Sequence, residues 1–321
     1  MLRAALIRPL AISALVLCFI VVVLGAYVRL SAAGLGCPDW PGCYGHLTPA
    51  GAIAAADTTG GSLDGTVIEA GKAWKEMIHR YAAGTLAVLL LIIAALAIQT
   101  RKTFTVSPGY TLGLVGLVVM QAILGMLTVT WLLKPVIVTA HLLLGLATLA
   151  TLWWLVLTIG YRQASAWRGT TAFLGSSLPR TRQIAALALI MLAVQIGLGG
   201  WTSSHYAAAA CPDFPRCQGQ WWPELHGAVA IHFAHRLGAL LTTGMLLLAA
   251  LRVLRSRNDP FARRAALAVL AALALQLIIG ISLVLAAFPL WLATIHNAGA
   301  ALLLLAVVAL NRSLRPAWKP S

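Results

Sequence analysis

Eight apolar stretches constrain this chain more than anything else in it, each close to the roughly 20 residues needed to cross a hydrocarbon layer of about 30 Å. They run at about 10–30, 79–99, 110–132, 136–159, 183–203, 230–251, 265–287 and 290–310. The fold expected is all-α: a polytopic membrane protein with eight transmembrane helices. Composition agrees, because 60% of the 321 residues are hydrophobic and only 10% are charged, too few to cover a soluble domain of that size. The first stretch is too long for the apolar core of a signal peptide, and no clean cleavage site follows it, so it is read as helix 1.

A net charge of +15 could suggest nucleic acid, but the basic residues flank the apolar spans and form no continuous patch. Nucleic acid is therefore set aside, and membrane lipid is the expected surrounding. With the N-terminus in the cytoplasm, 16 of the 23 Lys and Arg fall on that side. Seven of the eight Asp and Glu fall outside, Asp259 being the exception. The positive-inside rule then places both termini in the cytoplasm and the two long loops on the outer side.

The chain reads as two parallel repeats of four helices. The N-terminal repeat covers 1–160, a polar linker with four arginines and a proline covers 161–182, and the C-terminal repeat covers 183–321. Gln121-x-x-x-Gly125 recurs as Gln276-x-x-x-Gly280, each glutamine lying 20 residues before a histidine. Cys37-Pro38-Asp39-Trp40-Pro41-Gly42-Cys43 recurs 174 residues later as Cys211-Pro212-Asp213-Phe214-Pro215-Arg216-Cys217. An even number of helices per repeat gives both copies one orientation, hence a pseudo-two-fold axis along the membrane normal.

Histidines carry the chemistry. His79 and His235 each precede an arginine and lie 156 residues apart; His141 and His296 lie 155 apart. All four fall near the outer ends of helices that run inward, in first turns that share one depth. A lone histidine at a helix end is ordinarily an interfacial hydrogen-bonding residue. Four at matched positions point instead to two bis-histidine sites, and an all-histidine site without acidic ligands suits haem better than zinc. Arg80 and Arg236 either snorkel to the interface or pair with haem propionates. Glu76, one turn before His79, is either an acid favoured by the helix N-terminus or a proton acceptor beside the haem edge. Its counterpart is His232, so the first half is the reactive one. The cysteine pairs admit disulfides, redox-active thiols or a metal, with disulfides favoured outside the membrane. Gln121, Gln195 and Gln276, each four residues before a glycine, are read as interhelical hydrogen-bonding groups where backbones approach closely. Cys18 is read as packing.

Taken together, Gly34-Leu35-Gly36-Cys37-Pro38-Asp39-Trp40-Pro41-Gly42-Cys43, Glu76-x-x-His79-Arg80, Thr139-Ala140-His141, the second cysteine heptapeptide, His235-Arg236 and Ile295-His296-Asn297 resemble the haem A synthase family. The resemblance spans nearly the whole chain. It implies an oxidoreductase of the inner (plasma) membrane that converts the C8 methyl of haem O to a formyl group by two successive hydroxylations, giving haem A for cytochrome oxidase. It further implies haem O at His79 and His141 with Glu76 aiding proton removal, haem b on His235 and His296, and a Cys37–Cys43 pair. Water-derived oxygen, a quinone or other electron acceptor, contact with the haem O-making enzyme and homo-oligomerisation are left open by the sequence. The competing reading is a dihaem b-type cytochrome exchanging electrons with quinone. A transporter is disfavoured because its polar groups should reach the midplane, whereas here they crowd the outer edge.

Overall fold

The computed structural model describes residues 2–58, 67–101, 107–168, 179–256 and 259–315. Its helices are α1 (Leu2–Leu30), α2 (Pro49–Thr58), α3 (Ala70–Gln99), α4 (Pro108–Thr130), α5 (Pro135–Arg168), α6 (Pro179–Ser204), α7 (Gly227–Ser256), α8 (Pro260–Leu285) and α9 (Leu290–Ser313). Eight of these are long and apolar enough to span a membrane, as expected, and the described residues contain no strand. Part of the expected linker, 169–178, lies outside the described residues.

Two elements stand out against the apolar stretches. The apolar stretch starts near 79, but 67–75 also reads as able to start the helix early, and α3 does begin at Ala70. His79 is therefore in its third turn, and His141, His235 and His296 lie in second or third turns of α5, α7 and α9, not in first turns. At 1.5 Å per residue the four rings sit roughly 9–14 Å below their helix starts. The other difference is α2. The middle of the first outer loop has few apolar residues of any size, yet Thr48 Oγ1 accepts from Gly51 N at 3.2 Å, Pro49 starts the helix, and Ala52 and Ala56 bury.

α1, α5, α6 and α9 form the centre. α1 packs on α5 and α9, α6 packs on the same two, and α5 packs on α9. Fully buried side chains line this centre, Ile7 of α1, Leu149, Leu152 and Leu155 of α5 and Leu310 of α9, and also the flanking helices, as Leu90 and Ile93 of α3 and Leu246 and Val253 of α7 do. α3 and α4 flank this centre on one side, with α3 on α1 and α4 on α5; α7 and α8 flank it on the other, with α7 on α6 and α8 on α9. Large apolar side chains on the outer faces, such as Ile190, Val194, Leu240 and Ile278, are more than half exposed, as lipid contact requires.

The outward ends of α1, α4, α6 and α8 stop alike. In each, a backbone N–H reaches back five residues: Ala33 to Val28, Leu133 to Thr128, Ala207 to Thr202 and Phe288 to Leu283, at 2.8–2.9 Å. The turn requires left-handed residues, supplied without glycine by Ala32, Leu132, Tyr206 and Ala287 at φ between 50° and 55°. Asp259 caps α8 by accepting from Phe261 and Ala262, which gives the acid expected on the inner side a structural task.

Both cysteine pairs are disulfide-bonded, Cys37 to Cys43 and Cys211 to Cys217. Inside each ring an aspartate organises the backbone. Asp39 accepts from Tyr44 N (2.6 Å) and Gly45 N (2.8 Å); Asp213 accepts from Gln218 N (2.7 Å) and Gly219 N (2.9 Å). The N–H donors of Gly219 and Gln218 hold the Asp213 carboxyl below its ordinary range. A depressed carboxyl stabilises the turn above the ordinary value of about 4 and loses that effect as pH falls through the lower folded value. Asp213→Asn is expected to lower hydrogen-exchange protection at Gln218 and Gly219 at neutral pH; the unsubstituted loop should lose it only below about pH 4.

Candidate active site

Glu76, His79 and Arg80 fall on one face of α3 at i, i+3 and i+4. The Glu76 side chain is buried, with the residue 4% exposed. One carboxylate oxygen accepts from the Cys37 backbone N–H at 3.0 Å and the other pairs with Arg80 Nη2. Arg80 Nη1 donates to three carbonyls of the disulfide loop: Asp39 (2.9 Å), Pro41 (3.3 Å) and Gly42. The guanidinium therefore fastens the loop to the helix that carries the histidine, a set of contacts the sequence reading did not foresee.

Beneath that loop lies a cavity of about 750 Å³ among α1, α3, α4 and α5. Its wall includes His79, His141, Glu76, Arg80, Arg29 and Gln121, with Trp40 and Pro41 of the loop above, and it reaches Ser203 of α6 and Asn297 of α9. The rest of the lining is mostly aliphatic. Such a volume with few polar groups has the character of a site for a bulky apolar ligand. Glu76 is the one carboxylate on the wall among the described residues.

His79 and His141 line the same cavity. Each of the four rings lies against a glycine of the neighbouring helix. A Cβ at Gly25 would sit 2.9 Å from His79 Cε1, at Gly125 3.5 Å from His141 Cε1, at Gly199 3.0 Å from His235 Cε1 and at Gly280 3.0 Å from His296 Cε1. The three glutamines singled out from sequence do bond across helices, and to the histidine itself. Gln121, Gln195 and Gln276 donate to the backbone carbonyls of His141 (3.0 Å), His235 (2.9 Å) and His296 (3.1 Å). Gln195 also lies 3.0 Å from His235 Nδ1, and Gln276 lies 3.3 Å from both ring nitrogens of His296. Gly25 was missed because the residue four before it is Val21, so the Gln-x-x-x-Gly signal is absent from α1.

In the second half Arg236 does what Arg80 does. It donates to the carbonyls of Arg216 (2.8 Å) and Cys211 (2.8 Å), and its Nε meets His232 Nε2 at 3.1 Å. Buried His232 stands where Glu76 stands in the first half. Among the described residues, His, Cys, Asp and Glu form no cluster of three or more suited to a metal ion; the histidines come in pairs.

The model of a family described as cytochrome oxidase assembly proteins, COX15-CtaA, matches residues 8–308. The chain belongs to the COX15-CtaA family. A protein of Shewanella oneidensis named Heme A synthase is 40% identical over 323 aligned positions, covering 92% of this chain and 93% of that one. Proteins of the same name from Symbiobacterium thermophilum (28% identical, 88% of this chain and 86% of theirs) and Halalkalibacterium halodurans (29%, 74% and 72%) are also similar. For this COX15-CtaA member, Arg236→Ala removes two hydrogen bonds that hold the second loop to α7, those to the Arg216 and Cys211 carbonyls. Protection of 211–217 from hydrogen exchange is expected to fall at least tenfold, since each charge-assisted bond is worth roughly 1.5–3 kcal/mol. The Cys211–Cys217 bond should survive, read as unchanged thiol labelling.

Proposed function

We propose that this protein is a haem A synthase that oxidises the C8 methyl of haem O to a formyl group. The observation that carries this reading is the first-half cavity: two imidazoles and one carboxylate on the wall of an otherwise apolar space, in a chain 40% identical to a protein named Heme A synthase. Haem O is the substrate and would lie between His79 and His141. The residues present suit it. Both residues line the cavity, and Nδ1 of each ring is buried without a hydrogen-bond partner among the described residues, which keeps these imidazoles available to iron.

Methyl to formyl is a four-electron oxidation: with one water consumed, four protons and four electrons leave. Two hydroxylations account for it, the second giving a gem-diol that loses water. Glu76 is placed to take protons, since its carboxylate is on the cavity wall and is held there by Cys37 N–H and Arg80. Arg80, which also lines the cavity, is a candidate propionate partner beyond its contacts with Glu76 and the loop, and Arg236 would serve the second half likewise. The electrons require an acceptor, of which a membrane quinone is the class that matches the surroundings.

His235 and His296 would hold a resident haem b, with Gln195 and Gln276 fixing the two helices at the histidine carbonyls. A bound haem supplies one-electron redox chemistry there. Asn297, next to His296, lines the first cavity, so the two sites adjoin. We place both termini in the cytoplasm and the disulfide loops on the periplasmic side of the inner membrane, from the excess of Lys and Arg on the terminal side.

Mass spectrometry of haem extracted from the purified protein, expressed with a supply of haem O, tests the activity. Haem A or its alcohol precursor is expected, whereas a pure electron-carrying cytochrome yields no formyl haem. Glu76→Gln should retain haem and lower conversion at least a hundredfold, within the range general acid–base catalysis supplies; normal haem A output would remove Glu76 from the mechanism. His235→Ala or His296→Ala should abolish the low-spin haem b spectrum, and its survival would overturn that ligand assignment.

A further inference from the structure

We propose that Arg29 binds a carboxylate of the molecule occupying the first-half cavity, a propionate if that molecule is a haem; the inference rests on the function proposed above. Arg29 is on the cavity wall near the outer end of α1, and the cavity's other cation, Arg80, is already ion-paired with Glu76 and committed to loop carbonyls. Arg29 has no carboxylate partner among the described residues. Its Nε is buried with no hydrogen-bond partner, and its one polar contact is a long one, Nη2 to the Ser203 carbonyl at 3.4 Å. The guanidinium lies over the Tyr206 ring, 4.5 Å from its centroid, which orients the planar group and leaves its edge for another partner. A half-buried cation with its Nε fully covered and no counter-charge is unfavourable beside an apolar wall, and an anionic ligand would offset that cost.

Register supports the assignment. Gly25 lies under the His79 ring, and Arg29 is four residues further on, one turn nearer the outer surface on the same face of α1. A flat ligand held at His79 with its acidic edge outward would bring that edge to Arg29. The second half has nothing equivalent. The residue 174 positions later is Ser203, although Gly199 and the second disulfide loop hold the matching places. The guanidinium therefore belongs to the ligand of the first half alone.

The test uses purified full-length protein with its resident pigment, titrated by absorbance with iron protoporphyrin IX and, separately, with its dimethyl ester. His79→Ala serves as the blank for the first site. The free acid should bind at least tenfold more tightly than the ester. Arg29→Gln should weaken the free acid about tenfold and leave the ester unchanged, with Arg29→Lys recovering part of the loss. Equal weakening of both probes would show that Arg29 only braces α1 against α6, and no weakening of either would show that it is idle; both results overturn the proposal. If the unsubstituted protein shows no His79-dependent binding of either probe, the haem site itself falls and the Arg29 proposal with it.

Discussion

An imidazole edge can lie against a neighbouring helix only where that helix has no side chain, and this constraint governs the rest of the structure. Gly25, Gly125, Gly199 and Gly280 provide four such places, one on each helix adjoining a histidine-bearing helix. At Gly25 an added Cβ would come within 2.9 Å of the ring, closer than real Cβ atoms approach, so even alanine would rotate the imidazole or part the helices. Packing this tight fixes one side of each ring and leaves the other side for a ligand. It also brings the backbones near enough for Gln121, Gln195 and Gln276 to reach the histidine carbonyls, which are otherwise engaged only within their own helices.

The shared scaffold is filled differently in the two halves, and the differences share one sense. In the second half Gln195 meets both the His235 carbonyl and its Nδ1, so ring and helix are tied to α6. Val21 holds the corresponding place in α1 and offers no side-chain donor, leaving His79 Nδ1 unbonded. Glu76 in the first half is His232 in the second, and Arg29 is Ser203. A ring tied by a side-chain donor on its neighbour suits a permanent ligand; a ring whose Nδ1 has no such donor, in a cavity with a carboxylate and a guanidinium lacking a carboxylate partner, suits a molecule that enters, reacts and leaves.

Much of this was legible in the chain because membranes simplify the sequence code. Spans announce themselves by length and apolarity, and eight were found with ends mostly within a turn or so of those observed. The largest departures are α1, which begins eight residues earlier, α5, which ends nine residues later, and α3, which begins nine residues earlier because Ala70–Lys75 is helical but carries two lysines, and hydropathy registers only the apolar part. The paired histidines were legible as recurring ionisable rings in apolar runs. What could not be read was direction. Arg80 and Arg236 follow their histidines and were read as either snorkelling or pairing with propionates; both also donate to carbonyls of the disulfide loops, groups that every sequence contains and no motif marks. Arg29 escaped notice because at a helix end it looks like any snorkelling cation, and only its missing partner sets it apart.

The arginine contacts also separate what both halves need from what only one does. Arg80 and Arg236 each bind two or more loop carbonyls, and each loop is closed by a disulfide and braced by an aspartate. Fastening a lid above the paired histidines is thus common to both halves. The residue four places before the arginine completes its coordination in both cases, through a carboxylate oxygen at Glu76 and through a ring nitrogen at His232. Holding the lid therefore does not require a negative charge, since a neutral acceptor does it in the second half. The carboxylate at position 76 is an addition to a working clasp, buried and on the wall of the cavity that Trp40 and Pro41 of the lid help to close. Burying a charge where a neutral group would serve is unfavourable unless the charge has a further task, and the cavity it lines is where that task must lie.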